Sequence, residues 1–243
     1  MFHKRVQSHG LILLFAISLY VGSRGSNLET NHISDATQSN AQMSDISGNS
    51  VSLQGSNFDG TLDLREVLNT SEDYWVYYQT YSNKYEMYIN ETNMTIFTTC
   101  IRHHKLELTE DEYNFTLYES LNGIKAEENC TGKFINFTLT AGTNKPPKAM
   151  QVYPGSEKRP EYMATLEYTD PDSHNCNVYS ISYLVTDLAN DTGTCEMHIK
   201  DSYVHRGPTN SCLTYYNTNC KGKKYQPYIP ECNNTDQRDR NSL

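Results

Sequence analysis

The sequence predicts an all-β fold: an eight-stranded antiparallel up-and-down β-barrel with a short N-terminal helix and a C-terminal α-helix. Three observations predict it. From Tyr74 to Lys200 the chain breaks into short apolar-polar segments separated by turn residues. One helix-spaced group precedes them and another follows them, so the strands form one uninterrupted series. Finally, about eight short antiparallel strands remove their exposed edges most simply by closing on themselves. A β-sandwich is the alternative, but it has no need of a terminal helix. The single Trp75 also precedes every Cys, which breaks the Cys…Trp…Cys order of an immunoglobulin domain.

The first residues have the form of a leader. His3, Lys4 and Arg5 are basic, Leu11 to Val21 is apolar, and small residues follow at Gly22-Ser23, with Gly25-Ser26 as the alternative. The apolar run is too short to cross roughly 30 Å of hydrocarbon, so residues 1–23 read as a signal peptide and the mature chain as secreted and extracellular, with no membrane span. Residues 24–60 are rich in Ser, Asn, Gln and Gly without apolar periodicity, and read as a disordered spacer. The barrel domain is expected over 61–232, with a disordered tail over 233–243.

Within the domain, Leu62, Leu64, Val67 and Leu68 have helical spacing. Strands are expected near 74–81, 86–90, 94–103, 113–119, 133–140, 149–153, 161–168, 177–186 and 194–200, with 86–90 and 94–103 as one interrupted strand. The breaks carry Ser-Asn, Asn-Gly, Pro-Gly-Ser, Asp-Pro-Asp and Asn-Asp-Thr-Gly. After Pro208, Cys212, Leu213, Tyr215 and Tyr216 suit a helix.

The chain has 243 residues, a net charge of −9, seven Cys and nineteen Tyr. The negative charge speaks against nucleic acid and against an anionic membrane surface as partners. No Cys-x-x-Cys pair occurs among Cys100, Cys130, Cys176, Cys195, Cys212, Cys220 and Cys232, so secretion makes them a disulfide framework rather than a zinc site. Secretion also gives meaning to the eight Asn-x-Ser/Thr triplets at Asn69, Asn90, Asn93, Asn114, Asn129, Asn136, Asn190 and Asn233. A glycan cannot point into a barrel. An occupied Asn114 therefore turns Tyr113, Phe115 and Leu117 inward, and an occupied Asn136 does the same for Ile135, Phe137 and Leu139.

A set of short motifs carries a resemblance. Tyr74-Trp-Val-Tyr-Tyr-Gln-Thr-Tyr81 is followed by Phe97-Thr-Thr-Cys100, His174-Asn-Cys176-Asn-Val178, Cys195-Glu-Met-His198 and Asn210-Ser-Cys212-Leu, and a last Cys lies near the C-terminus. In order and spacing this resembles the tick salivary lipocalins, the group that includes histamine-binding proteins, over roughly residues 62–232. The resemblance implies a lipocalin-like barrel with bridges Cys100–Cys232 and Cys176–Cys212. Of the remaining three, Cys130 and Cys195 both fall at strand starts on the open end, which favours that pair and leaves Cys220 free. Cys195–Cys220 stays open as the alternative.

The resemblance also implies a ligand site. Amine-binding members of that group carry a Cys-acid-aliphatic triplet followed by a Glu-aliphatic-aromatic one. Here Cys176-Asn177-Val178 is followed, seventeen residues on, by Glu196-Met197-His198, so Asn177 stands for a carboxylate and His198 for an aromatic ring. A cationic amine in an apolar interior needs an opposing carboxylate, and loss of the aromatic wall removes about 1–2 kcal/mol of cation–π attraction. Period two sets Glu196, His198 and Lys200 on one face, with Met197 and Ile199 on the other. Glu196 points inward if the C-terminal helix covers the strand, and outward if it does not. Glu167, Trp75, Tyr77, Tyr81, Tyr179 and Tyr183 are further candidates, the tyrosines because they offer apolar area with a hydroxyl. His103 and His104, being adjacent in a strand, face opposite ways and do not chelate a metal together. No hydrolase, kinase or phosphate-loop motif occurs, so the reading is a non-enzymatic, cofactor-free and monomeric binding protein. Its expected ligand is a host mediator such as histamine or serotonin, captured so as to evade host inflammatory and immune responses. The alternatives are a lipid mediator (leukotriene or fatty acid) in the barrel, or a host immune protein bound through the loops.

Overall fold

The computed structural model describes residues 61–89, 92–135, 145–184 and 194–233. The expected leader, the spacer, nearly all of the tail and the segment 136–144 lie outside them, as do Asn90, Asn136 and Asn190.

The chain opens with helix α1 (Leu64–Leu68), capped by the Asp63 carboxylate, which accepts from the Arg65 backbone N–H at 2.9 Å. Nine strands follow among the described residues: β1 (Tyr74–Gln79), β2 (Lys84–Ile89), β3 (Thr92–Leu108), β4 (Glu112–Leu121), β5 (Ile124–Phe134), β6 (Ala149–Pro154), β7 (Tyr162–Thr169), β8 (Cys176–Tyr183) and β9 (Thr194–Lys200). Every pairing is antiparallel. The order runs β1-β9-β8-β7-β6-β5-β4-β3, and β1 pairs back onto β3 through Tyr74↔His103 and Trp75↔Arg102. Eight strands thus close into a barrel. A short helix α2 (Asp201–Val204) and helix α3 (Asn210–Asn219) complete the fold.

The ninth strand, β2, pairs only with the first half of β3, in register from Lys84↔Phe97 to Ile89↔Thr92. Residues 84–89 and 92–97 therefore form a two-stranded ribbon extending from the barrel, where a single interrupted strand was expected. A second correction concerns β5, which runs Ile124–Phe134 rather than starting near 133. It begins straight after Asn122-Gly123, whose φ angles of 52° and 85° are those of the tight hairpin turn that Asn-Gly favours.

Strand parity sorts the apolar residues into two cores. Inside the barrel, Phe115, Leu117, Val152, Leu166 and Ile181 pack against Leu64, Val67 and Leu68 of α1, which stoppers one end. Leu64 N donates to the Pro147 carbonyl at 2.9 Å, and the Tyr74 hydroxyl reaches the Val67 carbonyl at 3.0 Å. Outside, Trp75, Val178, Met197 and Ile199 pack against Val204, Cys212, Tyr216 and Tyr228 beneath α3 and the C-terminal segment. Helix α3 is positioned by Thr209, whose hydroxyl accepts from Cys212 N at 3.2 Å and donates to Asp170 at 2.8 Å.

Disulfides join Cys100 to Cys232, Cys176 to Cys212 and Cys195 to Cys220. The favoured Cys130–Cys195 bridge is not formed, and Cys130 is a buried free thiol. The reason lies in the sheet. Cys130 sits inside the barrel on β5, paired with Phe115, while Cys195 lies in the outer core, and β6, β7 and β8 separate their strands. Cys220, at the C-terminal end of α3, meets Cys195 on that outer side.

Candidate ligand-binding site

Strand β9 is buried along six of its seven residues. Met197 and Ile199 face α3, which leaves Glu196 and His198 on the inner wall. They border a cavity with Tyr74 of β1, His103 of β3, Tyr113 of β4, Met150 of β6, Tyr162 and Ala164 of β7, Tyr179 and Ile181 of β8, and Leu68 of α1. The void measures about 350 Å³ out to the solvent, but the part a water molecule occupies is only about 10 Å³. That is space for about one water, so the interior is tightly filled.

Glu196 and His198 are 8% and 5% exposed. Two residues apart on a strand, they stand side by side, with His198 Nε2 2.8 Å from Glu196 Oε2. The Tyr81 hydroxyl donates to the other carboxylate oxygen, Oε1. Around this pair the rings of Tyr179 and His103 lie 4.7 and 4.9 Å from the His198 ring, and Phe115 stacks on Tyr113 at 4.9 Å. Burial holds the Tyr179 hydroxyl well above its ordinary pKa, with further push from Tyr74, Tyr113 and Glu196. Burial raises Tyr74 and Tyr113 as well. These three hydroxyls are therefore neutral donors at physiological pH, and the arrangement suits a small ligand that offers a positive group to Glu196 and a flat apolar body to the rings.

The other candidates fall in different places. Asn177 is fully buried, but its amide is satisfied by the Thr169 hydroxyl at 2.6 Å and the His174 carbonyl at 3.3 Å, at the end of the barrel that α1 closes. Glu167 pairs with Lys148 at 2.8 Å and does not border the cavity. Trp75 faces the outer core, its indole donating to Asp201 at 2.7 Å, and Tyr77 stacks on Tyr228 there. Tyr183 meets Tyr162 edge to face. His103 and His104 do face opposite ways. His103 borders the cavity, while His104 joins Arg102 on Asp73, with Arg102 also 4.3 Å over the Tyr118 ring. Of the residues bordering the cavity, sequence reasoning did not assign Leu68, Tyr74, His103, Tyr113, Met150, Tyr162, Ala164 and Ile181 to the site. Alternation from Val76 inward would have found Tyr74, because Tyr74 and Trp75 necessarily face opposite sides.

By class, then, the chain is a closed antiparallel β-barrel, stoppered by a helix at one end, with a carboxylate and two imidazoles on its inner wall. No family model matches it, and no curated protein does. Among solved structures it aligns with japanin from Rhipicephalus appendiculatus bound to cholesterol, at 13% identity over 67% of this chain and 96% of that one, with a TM-score of 0.43. It also aligns with AM182 in complex with serotonin, at 13% identity over 70% and 92% of the two chains, with a TM-score of 0.46.

Proposed function

We propose that the protein is a secreted binding module that sequesters a small host mediator carrying one ammonium group, such as histamine or serotonin, and so blunts host inflammatory and immune signalling. The observation that carries this reading is Glu196: a carboxylate under a tenth exposed, on the inner wall of a closed barrel, among Tyr179, His103 and His198. Placing a carboxylate there costs folding free energy, and a cationic ligand gives that cost a purpose. The narrow void favours a monoamine over a bulky ligand, with flexible Met150 and Tyr162 as the side chains that give way. The mechanism is stoichiometric capture. Three disulfides support an extracellular setting. Asn69 at the end of α1, Asn93 on the ribbon and Asn129 on β5, all exposed, support glycans at those positions.

A second reading has its own observation. Leu68, Met150, Ala164 and Ile181 make part of the lining apolar, which favours a lipid mediator. Calorimetry of the full chain with serotonin, histamine and a fatty acid separates the two. We expect heat with an amine, and a loss of about ten- to a hundredfold in affinity for Glu196→Gln, the range of a charge-assisted hydrogen bond. Fatty-acid binding without amine binding, indifferent to Glu196→Gln, would establish the lipid reading instead.

A further inference from the structure

Glu196 shares the inner wall with a group able to neutralise it. His198 Nε2 stands 2.8 Å from Glu196 Oε2, and histidine is the side chain whose charge ordinarily changes between about pH 5 and 8. A protonated His198 supplies the positive charge that a buried carboxylate demands, so it occupies the electrostatic position an organic cation would take. An ammonium and an imidazolium on one carboxylate, in a cavity with room for about one water, repel each other with little screening.

The groups around His198 narrow where such a proton resides. Glu196 faces it from its own strand, Tyr179 from β8, Tyr74 from β1, His103 from β3 and Tyr113 from β4, while Tyr81 acts through Glu196. Burial keeps Tyr74, Tyr113 and Tyr179 neutral far into alkali, so these hydroxyls take no part near neutrality. The two imidazoles are left, and of these His198 has its Nε2 on the carboxylate.

We propose that an organic ammonium binds at Glu196 in exchange for the proton of His198, so that uptake releases a proton and affinity falls as the solution becomes acidic. The proposal rests on the amine reading above. It makes the barrel a carrier that loads near neutral pH and unloads in acid.

Serotonin is the appropriate probe for the full chain, because its aliphatic amine stays charged throughout this range. Histamine carries an imidazole of its own. Titrations at about pH 6 in phosphate and in bis-tris, buffers with different heats of protonation, should give different apparent heats. The difference should correspond to as much as one proton released per serotonin. The dissociation constant should rise by up to about tenfold for each pH unit on the acid side. Equal heats in both buffers with a flat pH profile would overturn the exchange while leaving amine capture intact. Absence of serotonin and histamine binding at every pH would overturn both. His198→Gln retains an amide donor beside Glu196 but cannot carry the proton, so the buffer dependence should vanish. His103→Gln should retain it, and the opposite pattern would move the proton to His103 and refute the assignment. Should His198→Gln fail to fold, the two-buffer comparison on the natural sequence still decides.

Discussion

Cys130 shows how far one position's environment sets its chemistry. It lies inside the barrel on β5, opposite Phe115, with its sulfur 3.8 Å from the Glu128 carbonyl. Burial, then the negative charges of Glu128 and Glu161, push its thiol up to about 12. At pH 8 the reactive thiolate is on the order of one part in ten thousand, against about a quarter for an ordinary exposed cysteine. Native protein treated with iodoacetamide at about pH 8 should therefore stay unlabelled for hours, and should take up one label per chain once denatured without reductant. Rapid labelling of the native protein, or two unbridged labels after denaturation, would contradict this placement. The sequence misdirected this residue for a definite reason. With the strand thought to begin near 133, Cys130 stood at its mouth, whereas the strand begins at Ile124 and carries Cys130 deep into the wall.

At the level of elements, what could be read from the sequence depended on whether one face of a strand announced itself. Strands β4, β6, β7 and β9 follow the expected bounds closely, because their apolar residues recur with period two or fill the strand outright. Strand β5 hid. Its Ile124-Lys-Ala-Glu-Glu-Asn run has weak strand propensity, and only pairing along the whole of β4, from Leu121↔Ile124 to Glu112↔Lys133, makes it a strand. The cue was the Asn122-Gly123 turn, since a two-residue hairpin loop requires a strand on its far side. The same parity made the site partly readable. Glu196 and His198 followed from period two once α3 was known to cover β9, while Trp75, taken as lining, faces outward because the barrel turns its neighbour Tyr74 in. The covering layer is held by bridges: Cys176–Cys212 and Cys195–Cys220 tie α3 down near both ends, and Cys100–Cys232 ties the C-terminal segment to β3 across 132 residues. Replacing Cys100 and Cys232 together by Ser should lower unfolding free energy in urea by about 2–5 kcal/mol. It should also weaken serotonin binding less than Glu196→Gln does, because the bridge acts on the outer layer and not on the inner wall. A double variant as stable as the natural sequence would show that this segment is held by packing and not by its bridge.

For the molecule as a whole, tyrosines buried in the two cores make stability depend on alkalinity. Tyr74, Tyr113 and Tyr179 line the interior, and Tyr216 of α3 is fully buried, stacked on Tyr78. Burial raises the hydroxyl pKa of all four above the ordinary value of 10. In the unfolded chain the same hydroxyls ionise near 10, so above that pH the unfolded state binds fewer protons than the native one, and stability falls as pH rises. Below it both states are protonated and these groups contribute no slope. Each contributes about 1.4 kcal/mol per pH unit between its unfolded and folded values, so the four together give a slope of about 5 kcal/mol per unit. Cys130 adds to the loss from an ordinary value of about 8.5 up to about 12. Melting temperature should hold steady from these groups up to about pH 9 and then drop steeply beyond about pH 10. Over the same interval the tyrosinate absorbance of the native protein should fall short of the full complement, and should jump as the barrel opens. Smooth titration of every tyrosine before unfolding, with stability unchanged to about pH 11, would mean that the interior rings are open to solvent and that the barrel is not the closed, tightly filled vessel on which capture of a small cation depends.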